Sequence, residues 1–300
     1  MRLAIYASVL LAAATPFATR WAARRLPPVR AAGLLLVSSL AAAAVWVWAV
    51  GLAAFVVVGR SDQLAQAGHW SVALIRADDP VPLYVSGLAW LAVASGVFRL
   101  VAVVRRAAPS LTAVRSLRGL PHHGRLTILP DGPPTASALP GFPGRVVVSV
   151  SLLQSLSAAE RRVVLAHERC HLRSAHWLFK LAVRMAAGVA PFIRPAVAEL
   201  DNALERWADE SAAREVGDRR LTARAVARAA LFSSPAPHGQ PGVAGGHVTG
   251  RVAALLDAPP HSRWAPALLP LLVVVAALVL GVEAGRDLEA LFEFAQSSAK

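Results

Sequence analysis

The sequence predicts an α-helical multi-pass membrane protein with about four transmembrane helices and, between the third and fourth, a mostly helical domain carrying a small β element. Three observations carry this reading. Of 300 residues, 56% are hydrophobic and only 16% charged, with mean hydropathy +0.51; a soluble domain has about 45–50% apolar and ~25% charged residues. Four apolar stretches approach the roughly 20 residues that a span needs. Residues 105–264, by contrast, hold 21 Lys+Arg against 11 Asp+Glu, with strand and helix signals between them. The composition excludes a disordered chain, a collagen and a disulfide scaffold. With Cys170 as the one cysteine, an intramolecular disulfide is impossible.

Residues 1–104 hold three of the spans, at about 3–19, 31–58 and 81–104. The second lacks any charge and is long enough to tilt or overhang. The first is not a signal peptide in pattern: Arg2 alone precedes it, whereas Arg20, Arg24, Arg25 and Arg30 follow it, the reverse of a signal peptide's arrangement. The fourth span is 265–282, leaving 283–300 as a short external tail.

Loop charges set the orientation. The first loop has four arginines and no acid. The second, 60–80, has Arg60 and Arg76 against Asp62, Asp78 and Asp79, and the tail has Arg286 and Lys300 against four acids. The positive-inside rule then puts both termini outside and residues 105–264 in the cytoplasm of a cell-membrane protein. The net charge of +13 fits contact with anionic lipid. Direct nucleic-acid binding is not expected, because no DNA-binding motif accompanies the charge. Residues 181–198 are apolar but contain Arg184, Arg194, Pro191 and Pro195, and are read as an interfacial or half-buried helix. Residues 233–250 (SSPAPHGQPGVAGGHVTG) read as a flexible loop.

Within 105–264, residues 124–129 (GRLTIL) and 145–150 (RVVVSV) read as strands, and 130–143, rich in Pro and Gly, as loop. The second strand is either an ordinary core strand or an edge to which an extended substrate could add by backbone hydrogen bonds. A helix then opens with Ser157 as N-cap and Glu160 three residues on, a capping box, and runs to about Trp177. It contains His167-Glu168-Arg169-Cys170-His171, an HExxH motif. Four helical residues turn through ~400°, so the two histidines share a face one turn apart, as two ligands of a tetrahedral zinc must. Glu168 lies about 100° round from His167; it can reach a water on the metal and act as general base. With 9 His among 300 residues, random placement yields HExxH in about one such sequence in a hundred.

A catalytic zinc needs a third protein ligand. The next helix, 196–216 with Gly217 after it, offers Glu205, with Asp209 on the same face to hold a ligand histidine's other nitrogen. Glu199, Asp201, Glu210 and Glu215 are rivals. Cys170 reads as a packed thiol, His176 as a helix-end residue, and His122 and His123 as loop residues. Arg220, Arg224 and Arg228 form a stripe suited to the anionic inner leaflet.

HExxH followed by ExxxD on a second helix resembles the membrane gluzincins, such as the CAAX prenyl proteases and HtpX. The VVVSVSLLQSL run at 146–156, Glu160, VLAHERCH at 164–171, Arg173, His176 and RVAALL at 251–256 resemble more closely the BlaR/MecR-type metallopeptidases, metallopeptidase family 56, over about residues 80–285. The resemblance implies a gluzincin-like fold, one zinc per chain held by His167, His171 and Glu205, and Glu168 as base. It implies a regulatory endopeptidase acting on a cytoplasmic protein, such as a BlaI-type repressor, or on itself. A non-catalytic signalling or scaffold protein and a CAAX-type or quality-control protease are the alternatives. The antibiotic-sensing members carry a penicillin-binding domain after the last span; about 18 residues follow Val282 here, so β-lactam sensing by acylation is not expected.

Overall fold

Among the described residues, four helices are long and apolar enough to cross a membrane: Leu3–Ala23, Pro28–Gly59, Leu83–Pro109 and Ala265–Ser297. They belong to a computed structural model that describes residues 2–77, 81–116, 122–130, 132–141, 144–233, 243–258 and 264–297. The chain opens with α1 (Arg2–Ala23) and α2 (Pro28–Gly59), followed by two short helices, α3 (Asp62–Gly68) and α4 (Val72–Ala77), and by α5 (Leu83–Ser116). Four strands follow: β1 (His122–His123), β2 (Leu126–Leu129), β3 (Ala136–Leu139) and β4 (Arg145–Ser149). The remaining helices are α6 (Val150–Ser155), α7 (Ala158–Arg173), α8 (His176–Val189), α9 (Arg194–Val216), α10 (Arg219–Ser233), α11 (Val243–Leu256) and α12 (Ala265–Ser297).

The long helices meet through small side chains, since lipid-facing helices gain from close packing rather than from apolar burial. Ala12, Ala32, Ala42 and Ala277 are buried where α1, α2 and α12 touch. The Thr19 hydroxyl donates to Ser38 Oγ at 3.1 Å. Trp48 Nε1 donates to the Gly281 carbonyl at 2.8 Å, and its indole lies so close to Gly285 that a Cβ there would sit 2.8 Å from Cζ2.

α12 does not stop at 282. Ala284, Leu288 and Ala295 continue its buried face, so the expected tail is helical to Ser297. Its end meets the α3–α4 region, where the Ser71 N–H donates to the Ala295 carbonyl at 3.0 Å. At the other end of the bundle, Arg20 of α1 and Arg24 just past its end reach Glu199 of α9 at 3.4 and 2.6 Å. The first loop therefore lies on the side of the zinc-motif helices.

The sheet has the order β1-β2-β4-β3, with β2 and β4 parallel and the outer pairs antiparallel. Two expectations are corrected here. His122 and His123 pair with β2, and residues 136–139 of the expected loop form β3, pairing Ala136 with Val148. Ala-Ser-Ala-Leu has little strand propensity of its own; its ladder to the β-branched β4 supplies the stability. β4 is consequently interior, not an open edge, and the edge strands are β1 and β3.

Ser149 caps α6 by accepting the Leu152 N–H at 3.3 Å, so Val150 begins a helix rather than ending a strand. The capping box of α7 forms as expected: Glu160 Oε2 accepts the Ser157 N–H at 2.8 Å and Ser157 Oγ accepts the Glu160 N–H at 3.3 Å. α7 ends at Arg173, short of Trp177, because Ala175 takes a left-handed φ of 49°. The stretch 181–198 is two helices, broken at Ala190 and Pro191–Ile193, a 3-10 turn; Pro191 lacks the N–H to continue α8. α8 and α9 pack on α2, burying Val183, Ala186, Ile193, Leu200 and Leu204 in one cluster with residues of α1 and α2. Gly217 closes α9 at φ 78°, a conformation natural to glycine. Of the expected loop, 243–250 are helical in α11, and 234–242 lie outside the described residues.

Candidate metal centre

α7 packs on α9, and this contact assembles the centre. His167 and His171 present their Nε2 atoms 3.1 Å apart. Glu205 Oε2 lies 3.4 Å from His167 Nε2, and Oε1 lies 3.6 Å from His171 Nε2. Zinc with tetrahedral bonds of 2.0–2.1 Å sets its ligand atoms about 3.3 Å apart, so all three separations suit one ion. The donor set, two imidazoles and a carboxylate, is also a zinc set. His167, His171 and Glu205 are the group of metal-ligand type among the described residues.

Asp209, one turn beyond Glu205, is buried and stands 3.0 Å from His167 Nδ1. The four rivals are engaged elsewhere. Glu199 faces Arg20 and Arg24, Asp201 faces Lys180 and Arg184, Glu210 pairs with Arg219, and Glu215 with Arg169 and Arg173. Cys170 is buried and free, as expected of a packed thiol. Arg220, Arg224 and Arg228 share an exposed face of α10, with Arg228 3.4 Å from Glu160.

Three residues that the sequence did not single out as parts of the site join it. Arg251 of α11 donates to Asp209 twice, at 2.7 Å from Nε and from Nη2, and its Nη1 lies 3.3 Å from Glu205. Lys180 Nζ is 3.5 Å from Glu205 Oε1. His176 is buried, with Nδ1 2.7 Å from His171 Nδ1 and its ring 4.7 Å from that of Trp207. In an unbroken helix, five residues would carry His176 about 140° round from His171; the turn at Ala175 brings it back.

A cavity of about 200 Å³ is lined by His167, Glu168, Glu205, Arg251 and Ala136 of β3. Burial raises the Glu168 carboxyl above the ordinary carboxylate value, while the Ala138 N–H of β3 donates to it and His167 lowers it in part. Burial works against charge on His167, but Asp209 and Glu205 outweigh it and raise this imidazole to about 10. Burial and the His167 charge lower His171 to about 3, and burial with Lys180 lowers His176 to about 4. Glu205 and Asp209 resist burial and stay ionised beside His167 and Arg251. Three carboxylates thus favour positive charge at the point where the imidazoles meet, the field that a divalent cation needs.

No curated protein and no solved structure matches the chain. A family model does match: that of Peptidase family M48, a family of zinc metallopeptidases, matches residues 116–264, which span β1 to α11 and include every residue of the centre.

Proposed function

We propose that this protein is a membrane-embedded zinc endopeptidase with a regulatory role, its peptidase domain in the cytoplasm. The observation that carries the peptidase reading is the metal-type group of His167, His171 and Glu205, two of which, His167 and Glu205, line one cavity with Glu168. His167, His171 and Glu205 would hold zinc. When bound there, zinc polarises a peptide carbonyl and lowers the pKa of water to about 7. Glu168 takes the proton of the attacking water and passes it to the leaving amine. Asp209 and His176 fix the two imidazoles through their far nitrogens. The outer edge of β3 reaches the cavity at Ala136; its Ala138 N–H donates to Glu168, and its other outward backbone groups can pair with an extended substrate and present one of its carbonyls.

The likeness to BlaR/MecR-type enzymes supports regulation, with a repressor-like cytoplasmic protein as substrate. The charge pattern supports the orientation, and so does the sharing of one side by the first-loop arginines and α9. The deciding experiment compares wild type with Glu168→Gln for zinc content and proteolysis on the same samples. The variant should keep its zinc and lose cleavage by about 10²–10⁴-fold. Wild-type cleavage by the variant would leave a structural zinc in a scaffold protein as the better account.

A further inference from the structure

Beside the metal centre, α5, α8 and the start of α9 bound an open groove of about 740 Å³ that the chemistry above does not use. Five cations reach it: Arg99 and Arg106 of α5, Lys180 and Arg184 of α8, and Arg194 of α9. Among the described residues, no Asp or Glu lines it. Its wall between the cations is apolar, with Phe98, Val103, Trp177 and Leu181. Arg99 is fixed by donating to the Gly188 carbonyl at 2.7 Å, and Arg184 lies 3.4 Å from Asp201. Arg106 and Arg194 are exposed. Asp201 and Glu205, outside the lining, offset Lys180 and Arg184, so the positive field comes from Arg99, Arg106 and Arg194, and such a field in a concave wall attracts an anionic ligand.

Two features tie the groove to the centre. Lys180 belongs to both, lining the groove while its Nζ lies 3.5 Å from Glu205. The edge strand β3 also joins them: Ala136 lines the metal cavity, and Pro140, just past the strand's end, lines the groove. The four residue steps from Ala136 to Pro140 cover about 13 Å of extended chain. A peptide lying along the outer edge of β3 would pass from the cavity into the groove.

We propose that the groove is a specificity subsite that takes acidic side chains of the substrate, about three to five residues from the scissile bond on one side of it. The proposal rests on the peptidase reading. An acidic peptide is favoured over an anionic lipid because the groove shares Lys180 with the centre and is reached along β3; a headgroup requires neither.

The test uses the full-length protein in detergent with added zinc. Peptides share one cleavable core and carry three Glu, three Gln or three Lys at this distance, on either side. Every rate is divided by that of the Gln peptide on the same sample, so that losses of fold or metal cancel. Glu peptides of one side should show a kcat/KM about tenfold above Gln, through KM. Arg106→Gln with Arg194→Gln should bring that ratio near one. Arg194→Glu, outside the spans, should shift preference toward Lys. Equal cleavage of all peptides by wild type, or an undiminished Glu preference in the variants, overturns the subsite and leaves the peptidase intact. If wild type cleaves none of them, the peptidase reading itself falls, and the subsite with it. Vesicles containing phosphatidylglycerol provide the last arm: if their binding responds to the variants while peptide preference does not, the groove is a lipid site and the proposal is wrong.

Discussion

Arg251 of α11 grips Asp209 of α9 through two contacts of 2.7 Å, and Asp209 stands 3.0 Å from the Nδ1 of His167. A helix with no ligand of its own thereby fixes a ligand histidine through one intermediary. The guanidinium also balances a buried carboxylate, which would otherwise be costly to keep charged.

Asp209→Ala should therefore weaken zinc by about 10–100-fold, as losses behind a ligand do. Arg251→Ala should weaken it comparably, and Arg251→Lys should recover only part, because an ammonium cannot donate in the same fork. Zinc affinity by competition with a chelator checks both. If Arg251→Ala binds zinc like wild type, α11 has no part in the centre.

His176 holds the second imidazole. When His171 Nε2 is a metal ligand, its proton resides on Nδ1 and is donated to His176 Nδ1, 2.7 Å away. His176→Ala should weaken zinc by about tenfold or more, and His176→Asn, which keeps an acceptor, should recover part of the loss. Equal effects of Ala and Asn on zinc affinity would reduce His176 to a packing residue beneath Trp207.

The centre was legible where chemistry follows local periodicity. HExxH on one helix and ExxxD on another are fixed by 3.6-residue spacing, and their four partners needed only the two helices to pack. Arg251 was not legible as part of the site, since 42 positions separate it from Asp209 in sequence and only the tertiary fold joins them. His176 was hidden by Ala175, whose left-handed turn has no glycine to announce it. β3 was hidden for a related reason: its stability comes from its partner strand. The spans were read from hydropathy, but the end of α12 was not, because hydropathy registers lipid contact and Glu283, Asp287 and Glu289 lie on a helix that continues beyond it.

The orientation has its own test. Reporter fusions at 25 and 115 should report cytoplasm, and those at 70 and 295 the outside. The fusions at 70 and 295 should agree with each other whatever the orientation, since Ser71 bonds Ala295. An inverted pattern would place the metal centre outside the cell and remove the intracellular substrate.

Glu160 gives a pH-dependent prediction away from the metal. Its carboxylate accepts the Ser157 N–H at the first turn of α7 and faces Arg228, and both hold its pKa below the ordinary 4.5. A carboxylate whose folded pKa is depressed stabilises the fold fully above its unfolded pKa, and the contribution fades as pH falls through the folded value. Glu160→Ala should thus cost about 1 kcal/mol at neutral pH, the usual worth of a helix cap. Glu160→Gln should cost less, losing the charge but keeping an acceptor. The difference between wild type and Glu160→Gln should shrink below pH 4.5 and vanish once the native carboxyl is protonated. Hydrogen exchange of the amides at 158–161 reads this directly. A difference that holds constant down to about pH 3, below the ordinary carboxylate range, would show that the charge contributes nothing and that the cap acts through neutral hydrogen bonding alone.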